Sequence, residues 1–215
     1  MDSSSAGHIV LLGDSIFDNK AYIDGGPDVV QQLRGKLPPG WMATLLAVDG
    51  DVITGVNHQL LGLPDGATHL VISAGGNDAL GFAKLLEAPA RSVAEAVGMF
   101  ADAQERFAAD YELMAEALAA TGLPAAVCTI YDTPSAGPYY RIIRTALTVF
   151  NDCVTRAAFT RGLSVLDLRI ICNHDGDYAN ALEPSVQGGA KIAGAIAALL
   201  DPGRPVPRST VIGGS

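Results

Sequence analysis

Five short, almost unbroken apolar runs set the strongest limit on what this chain can fold into. They cover residues 8–12, 43–48, 69–74, 125–131 and 164–168. Each has the length of a strand, and none shows the polar–apolar alternation of a sheet with one wet face. They read as strands buried on both faces. Between them the pattern turns helical. Residues 28–36 are amphipathic, and residues 91–120 are Ala-rich with Glu and Arg interspersed. That second stretch stops at Thr121-Gly122-Leu123-Pro124, a C-cap glycine followed by a breaker. Another helix is expected over 138–161, ended by Gly162. The last is expected over 184–200, with Pro184 at its first position and Asp201-Pro202-Gly203 beyond its end. Strands alternating with helices through short joints imply a parallel sheet covered on both faces. The predicted fold class is α/β: a flavodoxin-like, three-layer α/β/α arrangement with a five-stranded parallel sheet.

A length of 215 residues suits one domain. No repeat or linker divides the chain, so residues 1–202 are read as a single domain. The Pro/Gly/Ser-rich residues 203–215 are read as a flexible tail. Hydrophobic residues make up 49% and charged residues 17%, which supports a large core and argues against disorder. Aromatics are only 6%, so Ala, Leu, Val and Ile must build that core. The net charge of -9 opposes a phosphate backbone or an anionic membrane surface, so no nucleic-acid partner is expected. No apolar run is long enough to span a bilayer, so no membrane insertion is expected. The first seven residues lack a basic stretch followed by an apolar one, which points to a cytoplasmic location. The three cysteines (Cys128, Cys153 and Cys172) are few, odd in number and scattered. They read as core residues in a reducing compartment.

In open parallel sheets, ligands bind beyond the carboxyl ends of the strands. The first strand is followed by Gly13-Asp14-Ser15-Ile16-Phe17-Asp18-Asn19. The second is followed by Val48-Asp49-Gly50-Asp51, and the third by Ala74-Gly75-Gly76-Asn77-Asp78. Ser15 falls where a strand should turn into a helix, presenting its hydroxyl at the sheet's edge; as plain residues, Asp14 and Ser15 would equally serve as helix caps. Gly50 lets a backbone N–H approach a bound group, or simply makes a turn. Asn77 offers a side-chain donor, or again a turn. Asp18 and Asp78 read as carboxylates that hold loop backbones. The spacing of Asp14, Asp51 and Asp78 does not make a metal site, and the chain has neither a P-loop nor Gly-x-Gly-x-x-Gly. No metal and no cofactor are expected. Gly188-Gly189, inside the last helical pattern, reads as a place of close packing.

These three loops, in this order and each behind a strand, resemble the blocks of the SGNH (GDSL-type) hydrolases. The resemblance covers residues 8 to about 200. It implies that Ser15 is the nucleophile of an acyl-ester or thioester hydrolase. The N–H groups of Ser15 and Gly50 and the Asn77 amide would form the oxyanion hole, with Asp14 and Asp78 in support. The family's last block is Asp-x-x-His, which supplies the base and the residue that orients it. Here Asn180 and Glu183 occupy those places, and Asp-x-x-His occurs nowhere in the chain. A carboxylate is less basic than imidazole by roughly two pK units, about 3 kcal/mol of proton affinity. Glu183 is expected as an atypical base, with Asn180 orienting its carboxylate. His174, in the polar loop 172–177 with Asp175 or Asp177 beside it, is the alternative base. The expected partner is a small-molecule acyl ester with a small acyl group, since no lid-like apolar insertion is visible. Two further readings stay open: an acyltransferase using the same serine, and a catalytically impaired binding protein that keeps the oxyanion pocket. A flavodoxin-like nucleotide or receiver module lacks its phosphate loop here.

Overall fold

The structure, a computed structural model, describes residues 6–135, 139–201, 206 and 208–212. In chain order its elements are β1 (His8–Gly13), α1 (Val29–Arg34), β2 (Met42–Leu45), α2 (Val56–Leu60), β3 (His69–Ser73) and α3 (Gly76–Gly81). There follow α4 (Val93–Ala120), β4 (Ala125–Cys128), α5 (Tyr140–Thr160), β5 (Ser164–Leu166), α6 (Leu168–Ile171) and α7 (Val186–Leu199). The five strands are all parallel, in the order β2-β1-β3-β4-β5. The chain winds one way from β1 to β2 and the other way from β3 onward. The crevice between β1 and β3 is therefore the topological switch point, where ligands of such sheets bind.

Both faces of the sheet are covered, which explains the unbroken apolar runs. Val10, Leu12, Leu70, Ile72 and Val127 pack with Phe107, Tyr111, Met114 and Val154 on one face. Ile9, Leu11, Val71 and Ala126 pack with Val29, Leu33, Ile192 and Ile196 on the other. The long helices α4 and α5 lie against each other on the first face, and α1 lies against α7 on the second.

Three strands stop two or three residues short of their apolar runs. β2 stops at Leu45, because the N–H groups of Leu46 and Ala47 both turn to the Leu11 carbonyl and leave the ladder. β4 stops at Cys128, where a side chain replaces the neighbouring strand. Asn151 of α5 accepts from Ile130 N–H and donates to the Ile130 carbonyl, at 2.8 Å each. β5 gives way at Asp167, whose carboxylate caps α6. At the other end of the chain, Ser185 is the N-cap of α7, so Pro184 stands before the helix and not at its first position. Gly188 lies so close to Asp177 that an added Cβ would sit 2.0 Å from the Asp177 carbonyl oxygen. Of the helix expected over 138–161, residue 138 lies outside the described residues. Of the tail over 203–215, only residues 206 and 208–212 are described; they are exposed, and Arg208 donates to the Ala198 and Asp201 carbonyls.

Candidate active site

The three loops selected from the sequence converge beyond the ends of β1 and β3. Gly13 begins the convergence. Its φ is +120°, and a Cβ there would lie 1.7 Å from the Ser73 carbonyl oxygen, so only glycine fits. That approach lets Asp14 N–H donate to Ser73 at 3.0 Å, locking the turn of β1 onto the end of β3. No α-helix starts at Ser15; residues 15–17 form a turn instead. Asp14 holds this turn, with its carboxylate accepting from Ile16 N–H and its carbonyl from Phe17 and Asp18 N–H. Ser15 is buried and caps nothing. Its hydroxyl donates to Glu183 Oε1 at 3.4 Å, across 168 residues of sequence.

The second loop is tied to both of its neighbours. Asp18 accepts from Asp49 N–H at 3.0 Å, linking it to the Ser15 turn. Asn77 donates to the Asp51 carbonyl at 2.8 Å, and Asp78 accepts from Ile53 N–H at 3.0 Å, linking it to the third loop. Gly50 sits between these ties with φ +79° and open space where a side chain would be. Among the described residues, the N–H groups of Ser15 and Gly50 have no hydrogen-bond partner. A carboxamide has two N–H donors, so Asn77 keeps one after bonding Asp51. The loops that carry these three donors are tied to one another, and Ser15 and Asn77 line the same cavity.

Glu183 is buried, and its carboxylate has no other hydrogen-bond partner than Ser15 among the described residues. Its backbone is held much more firmly. Asn180 does not orient the carboxylate: its side-chain oxygen accepts from the N–H groups of Leu182 and Glu183, at 2.8 and 3.0 Å. Tyr131 donates to the Leu182 carbonyl, and Thr133 to the Ala181 carbonyl. Asn19, fully buried, donates to the Pro184 carbonyl at 3.1 Å and accepts from Val29 N–H.

His174 is placed elsewhere. It is exposed and lines a neighbouring polar cavity with Arg144 and Arg169; that cavity shares Asp132 and Thr133 with the one at Ser15, which His174 does not line. Neither neighbouring carboxylate orients its ring: Asp175 binds Ser135, while Asp177 binds Lys191, Gln187 and His174's own backbone N–H. None of the other histidines lines the cavity at Ser15, and His58 is exposed on α2. His8 bonds Thr44, and His69 bonds Thr68 beside Trp41, at the opposite ends of their strands.

The site carries unbalanced acidity. Burial, reinforced by Asp78 and Asp51, pushes the Asp14 carboxyl up to about 7 despite the Ile16 N–H. Burial also raises Asp78, with smaller contributions from Asp110 and Asp51. Among the described residues, no group of three or more His, Cys, Asp or Glu side chains is placed to hold a metal.

Four positioning residues escaped the sequence reading: Asn19, Gln59, Tyr131 and Thr133. Gln59 accepts from Gly13 N–H and donates to the Gly13 carbonyl and to Asp51, fastening the end of β1 to the second loop. Its signal was a polar residue one turn after Val56 on the buried stripe of α2. The others act across 48 to 165 residues and leave no local pattern. Also unforeseen is the cavity into which Ser15 opens. It measures about 420 Å³ and is walled mostly by apolar side chains of α3, α4 and α5 and the segment after α3.

No family model and no curated protein matches this chain. Solved structures do. An extracellular lipase from Streptomyces rimosus superposes with a TM-score of 0.64 at 17% identity, covering 90% of this chain and 99% of that one. An alpha/beta hydrolase enzyme from the metagenome of Lake Arreo, Spain, gives 0.67 at 19% identity, covering 90% and 95%. A member of the lipolytic protein G-D-S-L family from Veillonella parvula gives 0.57 at 17% identity, covering 91% and 98%. The chain therefore has the SGNH-type hydrolase fold.

Proposed function

We propose that the protein is a serine-dependent carboxylic ester hydrolase with Ser15 as nucleophile and Glu183 as general base. The observation that carries this reading is the Ser15 hydroxyl directed at the buried Glu183 carboxylate. In the reaction, Ser15 Oγ attacks the carbonyl carbon of an ester or thioester while its proton passes to Glu183. The carbonyl oxygen becomes an oxyanion facing the N–H groups of Ser15, Gly50 and Asn77. The intermediate then collapses, the leaving alcohol or thiol takes the proton from Glu183, and an acyl-Ser15 ester remains. Water repeats the sequence, again giving its proton to Glu183, and releases the acid.

The 3.4 Å separation is longer than an ordinary O–H···O bond, but catalytic contacts often tighten only when substrate is bound. A carboxylate base predicts a slower enzyme than one with imidazole, by roughly the two pK units that separate them. That same deficit favours a second reading, in which the pocket binds a carboxylate or acyl ligand without turnover. The solved structures of lipases support the ester chemistry only through the shared fold. The three cysteines are buried and unpaired, in keeping with a cytoplasmic setting. The test is hydrolysis of p-nitrophenyl butyrate by wild type and by Ser15→Ala. Turnover that disappears in the variant supports the hydrolase; equal rates for the two proteins contradict it.

A further inference from the structure

The cavity at Ser15 has a shape that bears on the substrate. Its floor lies at the sheet, where buried Phe150 contacts Phe107, with ring centroids 5.0 Å apart, and Phe82, at 5.7 Å. From there α4 and α5 run on past the strand ends. Phe100 stands seven residues before Phe107 on α4, and Ile143 seven before Phe150 on α5. At 1.5 Å of rise per residue, each wall extends about 10 Å beyond the floor. Phe100, Ile143 and Leu147 are partly buried along these walls, while Leu80, Leu86 and Leu182 are exposed at the rim. Among the described residues, the lining carries two carboxylates, Asp14 and Asp132, and no Lys, Arg or His.

We infer that this chamber is an acyl-chain site that makes medium-length acyl esters, of about six to ten carbons, the preferred substrates; this rests on the hydrolase reading above. An extended chain advances ~1.2 Å per bond, so about 10 Å of wall accommodates roughly eight carbons. The polar end, Ser15 and Asn77, receives the carbonyl, and the chain follows the apolar walls outward. The site thus takes a longer acyl group than the small one expected from sequence. Ala146 and Leu147, on the α5 wall, set its width. Each methylene that enters the chamber should raise kcat/KM about fourfold, until the walls end.

The experiment has two arms on the intact protein. In the first, kcat/KM is measured for p-nitrophenyl acetate, butyrate, hexanoate, octanoate, decanoate and palmitate. The chamber predicts a rise to about octanoate and a fall beyond decanoate. Ala146→Trp should lower the octanoate-to-acetate ratio at least tenfold, and Leu147→Ala should move the optimum to a longer chain. A flat or falling profile in an active wild type overturns the chamber and leaves the hydrolase reading standing. In the second arm, sodium octanoate and sodium acetate are titrated calorimetrically into Ser15→Ala. Octanoate binding at least tenfold tighter than acetate, and weakened by adding Ala146→Trp, supports the chamber even if no ester is turned over, in which case the hydrolase reading fails alone. Equal affinities overturn the chamber whatever the kinetics show.

Discussion

The two sides of Ser15 are built to different standards. On the donor side, the loops bearing Gly50 and Asn77 are joined to each other and to the Ser15 turn by hydrogen bonds of 2.8 to 3.0 Å. On the acceptor side, the backbone of residues 181–184 is gripped by Asn19, Asn180, Tyr131 and Thr133, but the Glu183 carboxylate meets Ser15 only at 3.4 Å. In the proposed reaction the first side would place dipoles where negative charge develops, a preorganisation that is often the largest part of a rate enhancement. The second, with Glu183 as the proposed base, would offer a weaker proton acceptor at a longer distance. A site of this kind is better equipped to hold a tetrahedral intermediate than to start one. The proposed enzyme would therefore be limited by deprotonation of Ser15.

That contrast can be broken from either side. The largest effect is expected at the base: Glu183→Gln keeps the side chain's size, and kcat should fall about a hundredfold to ten-thousandfold. His174→Ala should leave kcat unchanged, and a loss there would move the base to the other cavity. Glu183→His sharpens the contrast, because imidazole at this position should raise kcat at neutral pH if base strength is what limits the reaction.

Asp14 gives the next effect, seen in stability. Its folded-state pKa of about 7 lies above its ordinary value of 3.8, so the folded protein holds a proton that the unfolded chain releases. Stability contributed in this way is full below about pH 4 and is lost as pH rises to about 7, by up to about 4 kcal/mol. Asp14→Asn keeps an acceptor for Ile16 N–H and has no charge to bury. Its Tm should match wild type near pH 4 and exceed it near pH 8; a deficit at pH 8 would contradict the assignment.

On the donor side, Asn77→Ala should reduce kcat by a hundredfold or more, about 3 kcal/mol, with KM little changed. The smallest effect is expected from Asn19→Ala, which frees the Pro184 carbonyl and Val29 N–H. Thermal or denaturant unfolding should show a loss of about 1–3 kcal/mol. Turnover should fall about tenfold as Glu183 loses its alignment, whereas unchanged turnover would mean that the other three grips suffice.

The three loops of the donor side were legible in the sequence because their signals are local. A strand, a Gly-Asp-Ser turn and two more strand-end loops each announce themselves within a few residues, and the parallel sheet brings them together. Glu183 was legible only as a substitution in a familiar block, and what holds it was not. Asn180 lies within three residues of Glu183, yet its action on the backbone instead of the carboxylate depends on a rotamer that no pattern specifies. Asn19 and Tyr131 act on residues 165 and 51 positions away, where pairing follows from packing alone. The strand ends were overextended for a related reason: Ile130 has the apolar character of a strand, but an asparagine of α5 takes the place of its neighbour. The chamber was hidden because Phe100, Leu147 and Phe150 have the same spacing as core residues. Only the reach of α4 and α5 past the sheet leaves a gap between them.

The central claim is that Ser15 becomes covalently acylated with help from Glu183. It is tested most directly by intact-mass spectrometry after treatment with a fluorophosphonate. The account predicts one adduct on wild type, none on Ser15→Ala, and labelling at least about a hundredfold slower on Glu183→Gln. An unlabelled wild type, or labelling that persists in Ser15→Ala, would contradict it.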